Sequence, residues 1–250
     1  MSRAAEGLKD VLSGDRAPIW ILAFVLLVLG VAYASGRWDV AVYALSFWIY
    51  LVYVMAFFWR RIPQQRFIRD SILLKVISLL AFAFAFIQTH PSLLSLIVMA
   101  TGFALNIMAA RALGIERTYY GVEVGGMPPV RVIGFPFSLV RHPMLTGSMI
   151  AFGAALLAPE FRAVWWPLAL LHVILNFAVL QMEIHGRRSR TLGMAVSIIG
   201  LLAGALLLIA GFFDAWRAAL ATIVIGAIFA GFLLIRYAGP DLRTSVARGS

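Results

Sequence analysis

The sequence predicts an all-α, polytopic integral membrane protein, and three observations carry that prediction. The 250-residue chain is 62% hydrophobic and only 13% charged, with a mean hydropathy of +0.94, well above a soluble domain. Several apolar runs approach the roughly 20 residues that a helix needs to cross about 30 Å of hydrocarbon. Basic residues gather in the short polar stretches between those runs, where topology signals sit. Backbone inside lipid must satisfy its own hydrogen bonds, which a helix does within one segment.

Taken in order, the expected spans are about 17–36, 40–58, 71–89, 92–113, 145–158, 163–183, 191–213 and 217–236. The first follows "MSRAAEGLKDVLSGDR", which mixes both charge signs, and has full spanning length, so no cleaved targeting peptide is expected. The fifth, "LTGSMIAFGAALLA", is short for a span and is followed by "PEFR", so it reads with the sixth as a tight helical hairpin. About eight spans result, and seven is the alternative. Gly186, ahead of "RRSR", supplies a glycine stop with basic residues for the sixth. The last two, "LLAGALLLIAGFF" and "IVIGAIFAGFLLI", are Gly- and Ala-rich enough for close helix packing and read as structural.

An even number of spans puts both termini on one side. All 21 Lys and Arg residues except Arg37, Arg162 and Arg217 then fall on that side, which the positive-inside rule makes cytoplasmic. Orientation therefore explains the net charge of +10 better than a nucleic-acid partner does. The chain has no cysteine, so disulfides, thiolate catalysis and cysteine-ligated metals are excluded. Four scattered histidines and few acids suggest no metal site, and no phosphate-binding loop, zinc-protease or serine-hydrolase motif occurs.

Chemistry is expected between residues 111 and 148, "RALGIERTYYGVEVGGMPPVRVIGFPFSLVRHPMLTGS". Six glycines and four prolines forbid one continuous helix there. Irregular backbone at a membrane persists where protein wraps it or where it lines a cavity; an ordinary interhelical loop is the plainer reading. Arg141 offers a planar fork for a carboxylate or phosphate, and His142 a group titrating near neutrality, with Pro143 fixing the turn that aims them. The same pair would also serve as a topology anchor. Phe135 and Phe137 read either as walls for an aromatic base or as interfacial residues, and Tyr119 and Tyr120 carry the same two readings. In the sixth span, at 100° per residue, His172, Asn176 and Glu183 fall within about 40° of one another. Such a polar stripe belongs inside the protein, and an intramembrane Glu183 is a functional candidate unless it merely bonds Arg187. A basic cytoplasmic pocket with one carboxylate behind it suits an anionic or zwitterionic cofactor.

The stretches "ALGIERTYYGVEVGG", "FPF" and "RHPMLTGS", with a following helix ending "QMEIHGR", resemble the phospholipid N-methyltransferases of the phosphatidylethanolamine methyltransferase type. That family lies within the wider isoprenylcysteine carboxyl methyltransferase-like group. The resemblance covers residues 70–190 of a single membrane domain, with 191–236 as two additional spans. It implies S-adenosylmethionine bound at the cytosolic face of a bacterial inner or organelle membrane, with a membrane lipid as partner. It assigns Gly114, Ile115 and Glu116 to the glycine motif and places Tyr120, Gly121 and Phe137 in the matching stretches. Arg141, His142, Pro143 and Gly147 match the proline-centred motif, and Glu183 matches the first acid of an acidic pair. His142 and Glu183 become the catalytic candidates, as proton acceptors for an amine. Arg117, Leu145 and Ile184 depart from the pattern, and "RHP" is nearer the isoprenylcysteine branch. The implied acceptor is a phospholipid amine; an isoprenoid, thiol or carboxylate is the alternative. A transporter is the rival class, although no second counterpart of the 114–147 segment is present.

Overall fold

The computed structural model describes residues 17–59, 62–211 and 222–233. Among them regular structure is entirely helical. Helices α1 (Ala17–Ser35), α2 (Trp38–Trp59), α3 (Gln64–Ile87) and α4 (Leu93–Leu113) are joined by short turns. A four-residue α5 (Ile115–Thr118) opens an irregular stretch that ends at α6 (Pro143–Ala154), which continues as a 3₁₀ turn over Ala155–Leu157. Then come α7 (Pro159–Gly186), α8 (Arg190–Gly211) and α9 (Thr222–Leu233).

Five helices, α2, α3, α4, α7 and α8, are long and apolar enough to cross a membrane, and three shorter apolar helices accompany them. Each of the eight expected runs thus corresponds to one apolar helix, while length alone supports five crossings. The amino-terminal sixteen residues and the ends of the eighth run lie outside the described residues. Helix α3 begins seven residues before its expected start at 71, because "QQRFIRD" is helical yet too polar to enter an apolar window. Lys75, which the charge assignment counts with the polar loop residues of the basic side, is instead the twelfth residue of this helix. The expected hairpin is present: α6 and α7 meet through the 3₁₀ turn, with Pro159 at the start of α7, where a missing N–H costs nothing. Pro167 inside α7 lacks the N–H for the ladder, and the helix kinks just before it at Trp165 (φ −112°, ψ 15°).

Glycines set two close helix contacts. A Cβ on Gly102 of α4 would lie 2.6 Å from the Ala151 nitrogen and the Gly147 carbonyl oxygen, and one on Gly147 of α6 would lie 2.6 Å from the Gly102 oxygen. The backbones therefore touch along this seam, which only paired glycines permit. Asn106, one turn past Gly102, donates from Nδ2 to the Met144 carbonyl at 2.8 Å and to Ser148 Oγ at 2.9 Å, tying α4 to the first turn of α6. On α8 the buried stripe Gly193, Ser197, Gly200 and Gly204 faces α7: Gly193 abuts Gly186, Gly200 abuts Ala178, and Gly204 meets Leu175.

The loops fall into two sets at opposite ends of α7. His90 Nδ1 lies 3.0 Å from Glu160 Oε2, joining the α3–α4 turn to the start of α7. At the other end Arg187 Nη2 lies 2.9 Å from Glu123 Oε1, Arg190 donates to the Phe58 carbonyl at 3.2 Å, and Gln64 donates to the Glu116 carbonyl at 3.2 Å. Because α7 has 28 residues, about 42 Å at 1.5 Å each, these sets are well separated. The second is the basic face.

Candidate active site

Near the basic face, four spanning helices, the shorter α6 and the 118–120 segment line a partly open cavity. Helix α2 contributes Tyr50 and Tyr53, three residues apart and so on one face. Helix α3 brings Lys75 and Ser78, and α4 brings Phe103 and Asn106. From α6 come Met144, Leu145 and Ser148, and from α7 Asn176, Val179 and Glu183. Thr118, Tyr119 and Tyr120 close the remaining side.

The polar stripe of α7 does face inward. His172 is fully buried, and its Nδ1 shares a 2.8 Å hydrogen bond with the Tyr50 hydroxyl, while its ring stacks on Phe152 at 4.0 Å. Asn176 donates from Nδ2 to the Tyr50 hydroxyl and to the His172 carbonyl, each at 2.8 Å. This network spends His172 and Asn176 on locking α2 to α7, and leaves Glu183, two turns on, as the carboxylate facing the cavity. Arg187 forms its ion pair with Glu123 and not with Glu183: Glu123 Oε1 accepts from Nε at 3.0 Å and lies 2.9 Å from Nη2.

Tyr119 and Tyr120 are buried, so their interfacial-anchor reading gives way to a role as cavity walls. Tyr120 stacks on Phe67 with centroids 5.7 Å apart and lies edge-on to Phe57 and Tyr53. Its backbone sits at φ +51°, a left-handed conformation uncommon for a side-chain-bearing residue and costly enough to need support from its packing. The phenol faces Glu183 without the geometry of a formed hydrogen bond. Burial first, and the Glu183 carboxylate second, hold it well above the ordinary tyrosine pKa, so it stays a neutral donor.

The other residues singled out from sequence divide by place. Gly114 caps α4 at φ +82°, a conformation that favours glycine, and starts α5. Ile115 and Glu116 are exposed on α5 and do not line the cavity. Gly121 is buried, where a Cβ would come within 2.7 Å of the Glu116 carbonyl oxygen. Phe137 is half-buried and Arg141 exposed, both outside the lining. His142 precedes α6 as its N-cap without a side-chain cap bond, and its Nε2 is buried with no partner. Burial, then the Arg141 and Arg187 charges, push the imidazole below the usual histidine pKa. Pro143 is the first residue of α6, and Gly147 faces the α4 backbone in the glycine seam. Tyr50, Tyr53, Lys75 and Asn106 join the lining without a motif to mark them: in sequence Lys75 counts only as a topology cation and a single Asn106 in an apolar run carries little information.

Arg117 Nε, Tyr120 Oη and His142 Nε2 are all buried without hydrogen-bond partners, on the irregular segment or at its end. Buried polar atoms left this way are costly. Of the three residues Tyr120 lines the cavity, while Arg117 and His142 stand outside its lining.

Among the described residues the protein is thus an apolar helical bundle with a carboxylate-bearing cavity toward one end. Residues 91–185 match the profile of the phospholipid methyltransferase family. Phosphatidyl-N-methylethanolamine N-methyltransferase of Arabidopsis thaliana is 37% identical over 97 residues, 38% of this chain and 58% of that protein. Phosphatidylethanolamine N-methyltransferase A of Dictyostelium discoideum is 33% identical over 98 residues, 39% of this chain and 46% of that protein. The chain thus spans about half the length of these curated relatives. The resemblance stated from the motifs is borne out over α4 to α7; no solved structure matches the chain.

Proposed function

We propose that this protein is a membrane-embedded, S-adenosylmethionine-dependent methyltransferase whose acceptor is the amine of a phospholipid headgroup. The observation that carries the proposal is Glu183, an intramembrane carboxylate without an ion-pair partner among the described residues, facing a tyrosine-walled cavity built largely from the segment matching the family. The finer reading adds eight crossings, cytoplasmic termini and a cofactor site on the basic, cytoplasmic face. The loop pairings at the two ends of α7 support that arrangement.

The residues at the basic end fit the cofactor. Arg117, Tyr120 and His142 carry unsatisfied buried polar atoms, and Arg141 is suited to a carboxylate. S-adenosylmethionine, when bound, supplies an electrophilic methyl group on a sulfonium. The chain's own part is to hold the acceptor and manage its proton. A headgroup amine arrives as an ammonium, which a carboxylate and the faces of Tyr53, Tyr119 and Tyr120 attract. It must lose a proton to become nucleophilic, and Glu183 is the proposed acceptor. His142, kept neutral by burial and two nearby cations, is the second acceptor toward solvent. The aromatic walls exclude water from the reacting groups.

Purified protein supplied with methyl-labelled S-adenosylmethionine and phosphatidylethanolamine vesicles tests this reading by lipid mass spectrometry. Label in mono-, di- or trimethylated ethanolamine lipid is the expected result. Label only in an isoprenylcysteine, thiol or isoprenoid acceptor would move the chain to the other branch, and absence of saturable cofactor binding would end both readings.

A further inference from the structure

The cavity holds a second ionisable group that the proposed chemistry leaves unused. Lys75 lines it from α3, as Glu183 does from α7, and no ion pair or hydrogen bond joins its ammonium to any described residue. An amphipathic lysine at a helix end can extend its charge to the interface, whereas this one is eleven residues past the start of its helix and lines the cavity. Isolated charges at such depth are expensive and persist where a ligand answers them.

Cross-links between helices fix its level. Ser78, one turn from Lys75, donates to the Ser46 carbonyl at 3.3 Å, and Tyr50, one turn along α2 from Ser46, receives the Asn176 amide at 2.8 Å. Lys75 therefore lies near the Tyr50–Asn176 level. Glu183 is seven residues nearer the basic face on α7, about 10 Å at 1.5 Å per residue. The cavity is thus bipolar along the membrane normal, with its anion toward the basic face and its cation deeper. A zwitterionic phospholipid has the same order: the amine is outermost, the phosphodiester lies beneath it, and the acyl chains lie deeper.

We infer that Lys75 is the seat of the lipid phosphodiester, a specificity residue that places the headgroup amine at Glu183. The inference rests on the proposed acceptor class and deepens it. Helix α3 lies outside residues 91–185, so this contact is a property of the chain beyond the matched segment. An ammonium and a phosphate form a charge-assisted contact, and in a partly buried site its loss is worth roughly tenfold or more in affinity.

The test compares wild type, Lys75→Met and Lys75→Arg on two acceptors, phosphatidylethanolamine and a double-chain amine lipid lacking phosphate. Methylation kinetics, direct phosphatidylethanolamine binding in detergent and S-adenosylmethionine affinity are measured for each. Lys75→Met is expected to raise the KM for phosphatidylethanolamine at least tenfold and weaken its binding equally. Its kcat, its cofactor affinity and its use of the phosphate-free lipid are expected to hold, with Lys75→Arg restoring most of the loss. An unchanged phosphatidylethanolamine KM, a parallel loss on both lipids, or a loss of cofactor affinity in its place would each overturn the assignment. If wild type methylates neither lipid, the acceptor reading fails. Selective loss of phosphatidylethanolamine binding in Lys75→Met would then still uphold the phosphate seat, and unchanged binding would overturn it as well.

Discussion

At the scale of single residues, the proposed function makes the carboxylate of Glu183 the first group to test. Replacing it by glutamine keeps the shape while removing the charge and proton-accepting capacity. The expected outcome is a loss of methyl transfer of about 10²- to 10⁴-fold with the protein still folded, measured by label incorporation into lipid alongside a thermal unfolding curve. Retained activity in Glu183→Gln would remove its assigned role. His142 offers a pH test with a definite sign. Its pKa is lowered in the folded protein, so its contribution to stability is fully present above the ordinary histidine pKa of about 6.5. That contribution declines as pH falls through the lower folded value, because the unfolded chain binds the proton more readily. Unfolding midpoints of wild type should therefore drop on acidification below about pH 6.5, and those of His142→Gln should drop less. Equal acid sensitivity in the two proteins would show that the imidazole is not held neutral by its site.

At the scale of elements, the α4–α6 seam gives Gly147 a packing role that its place in the proline-centred motif did not suggest. Gly147→Ala would drive a methyl group into the Gly102 carbonyl and the Asn106 nitrogen, backbone atoms that cannot swing aside. A cost of about 1–3 kcal/mol is expected. Gly153→Ala on the same helix is the control, since its Cβ would meet Val173 Cγ2 at an ordinary 3.8 Å. Thermal unfolding should separate the two; if Gly147→Ala proves as stable as Gly153→Ala while losing cofactor affinity, the residue belongs to the binding site instead. Much of this element scale was legible in sequence. Apolar runs located the helices to within a few residues, because lipid-facing length is a composition property, and Gly186 marked the end of α7. The polar stripe of α7 followed from helical spacing alone. The start of α3 was hidden because a helix continuing past the hydrocarbon leaves no apolar trace. The cavity itself was half visible: Tyr120 and Glu183 carried motif signals, whereas Tyr50, Tyr53, Lys75 and Asn106 acquire meaning only when four helices are brought together. Conversely, Ile115, Glu116 and Phe137 share the motif stretches yet stand outside the lining, since chain proximity along an irregular segment does not fix which way a side chain faces.

At the scale of the whole molecule, the proposed threading through the bilayer turns on the short α6. With its 3₁₀ extension it reaches from Pro143 to Leu157, about 22 Å at 1.5 Å per residue, less than the hydrocarbon thickness of about 30 Å. Length alone would allow it to stay on one side, which would give seven crossings. The ion pair of Glu123 with Arg187 argues against that, because it places the chain before α6 and the chain after α7 on the same face. One passage each way, by α6 and then by α7, satisfies this pairing, with the His90–Glu160 contact holding the turn between them on the opposite face. Thinning of the bilayer or wrapping by α4 and α7 would accommodate the short helix. The absence of cysteine makes the arrangement directly measurable, since any introduced thiol is the only one present. Single cysteines at the exposed positions Ser138, Arg162 and Ser189 would be treated with a membrane-impermeant maleimide in sealed vesicles of both orientations. Ser138→Cys and Ser189→Cys are expected to react together in inside-out vesicles, and Arg162→Cys only in right-side-out ones. Reaction of Ser138→Cys and Arg162→Cys from one side, with Ser189→Cys from the other, would make α6 a helix that does not cross, and would separate the two walls between which the Glu183 cavity is formed.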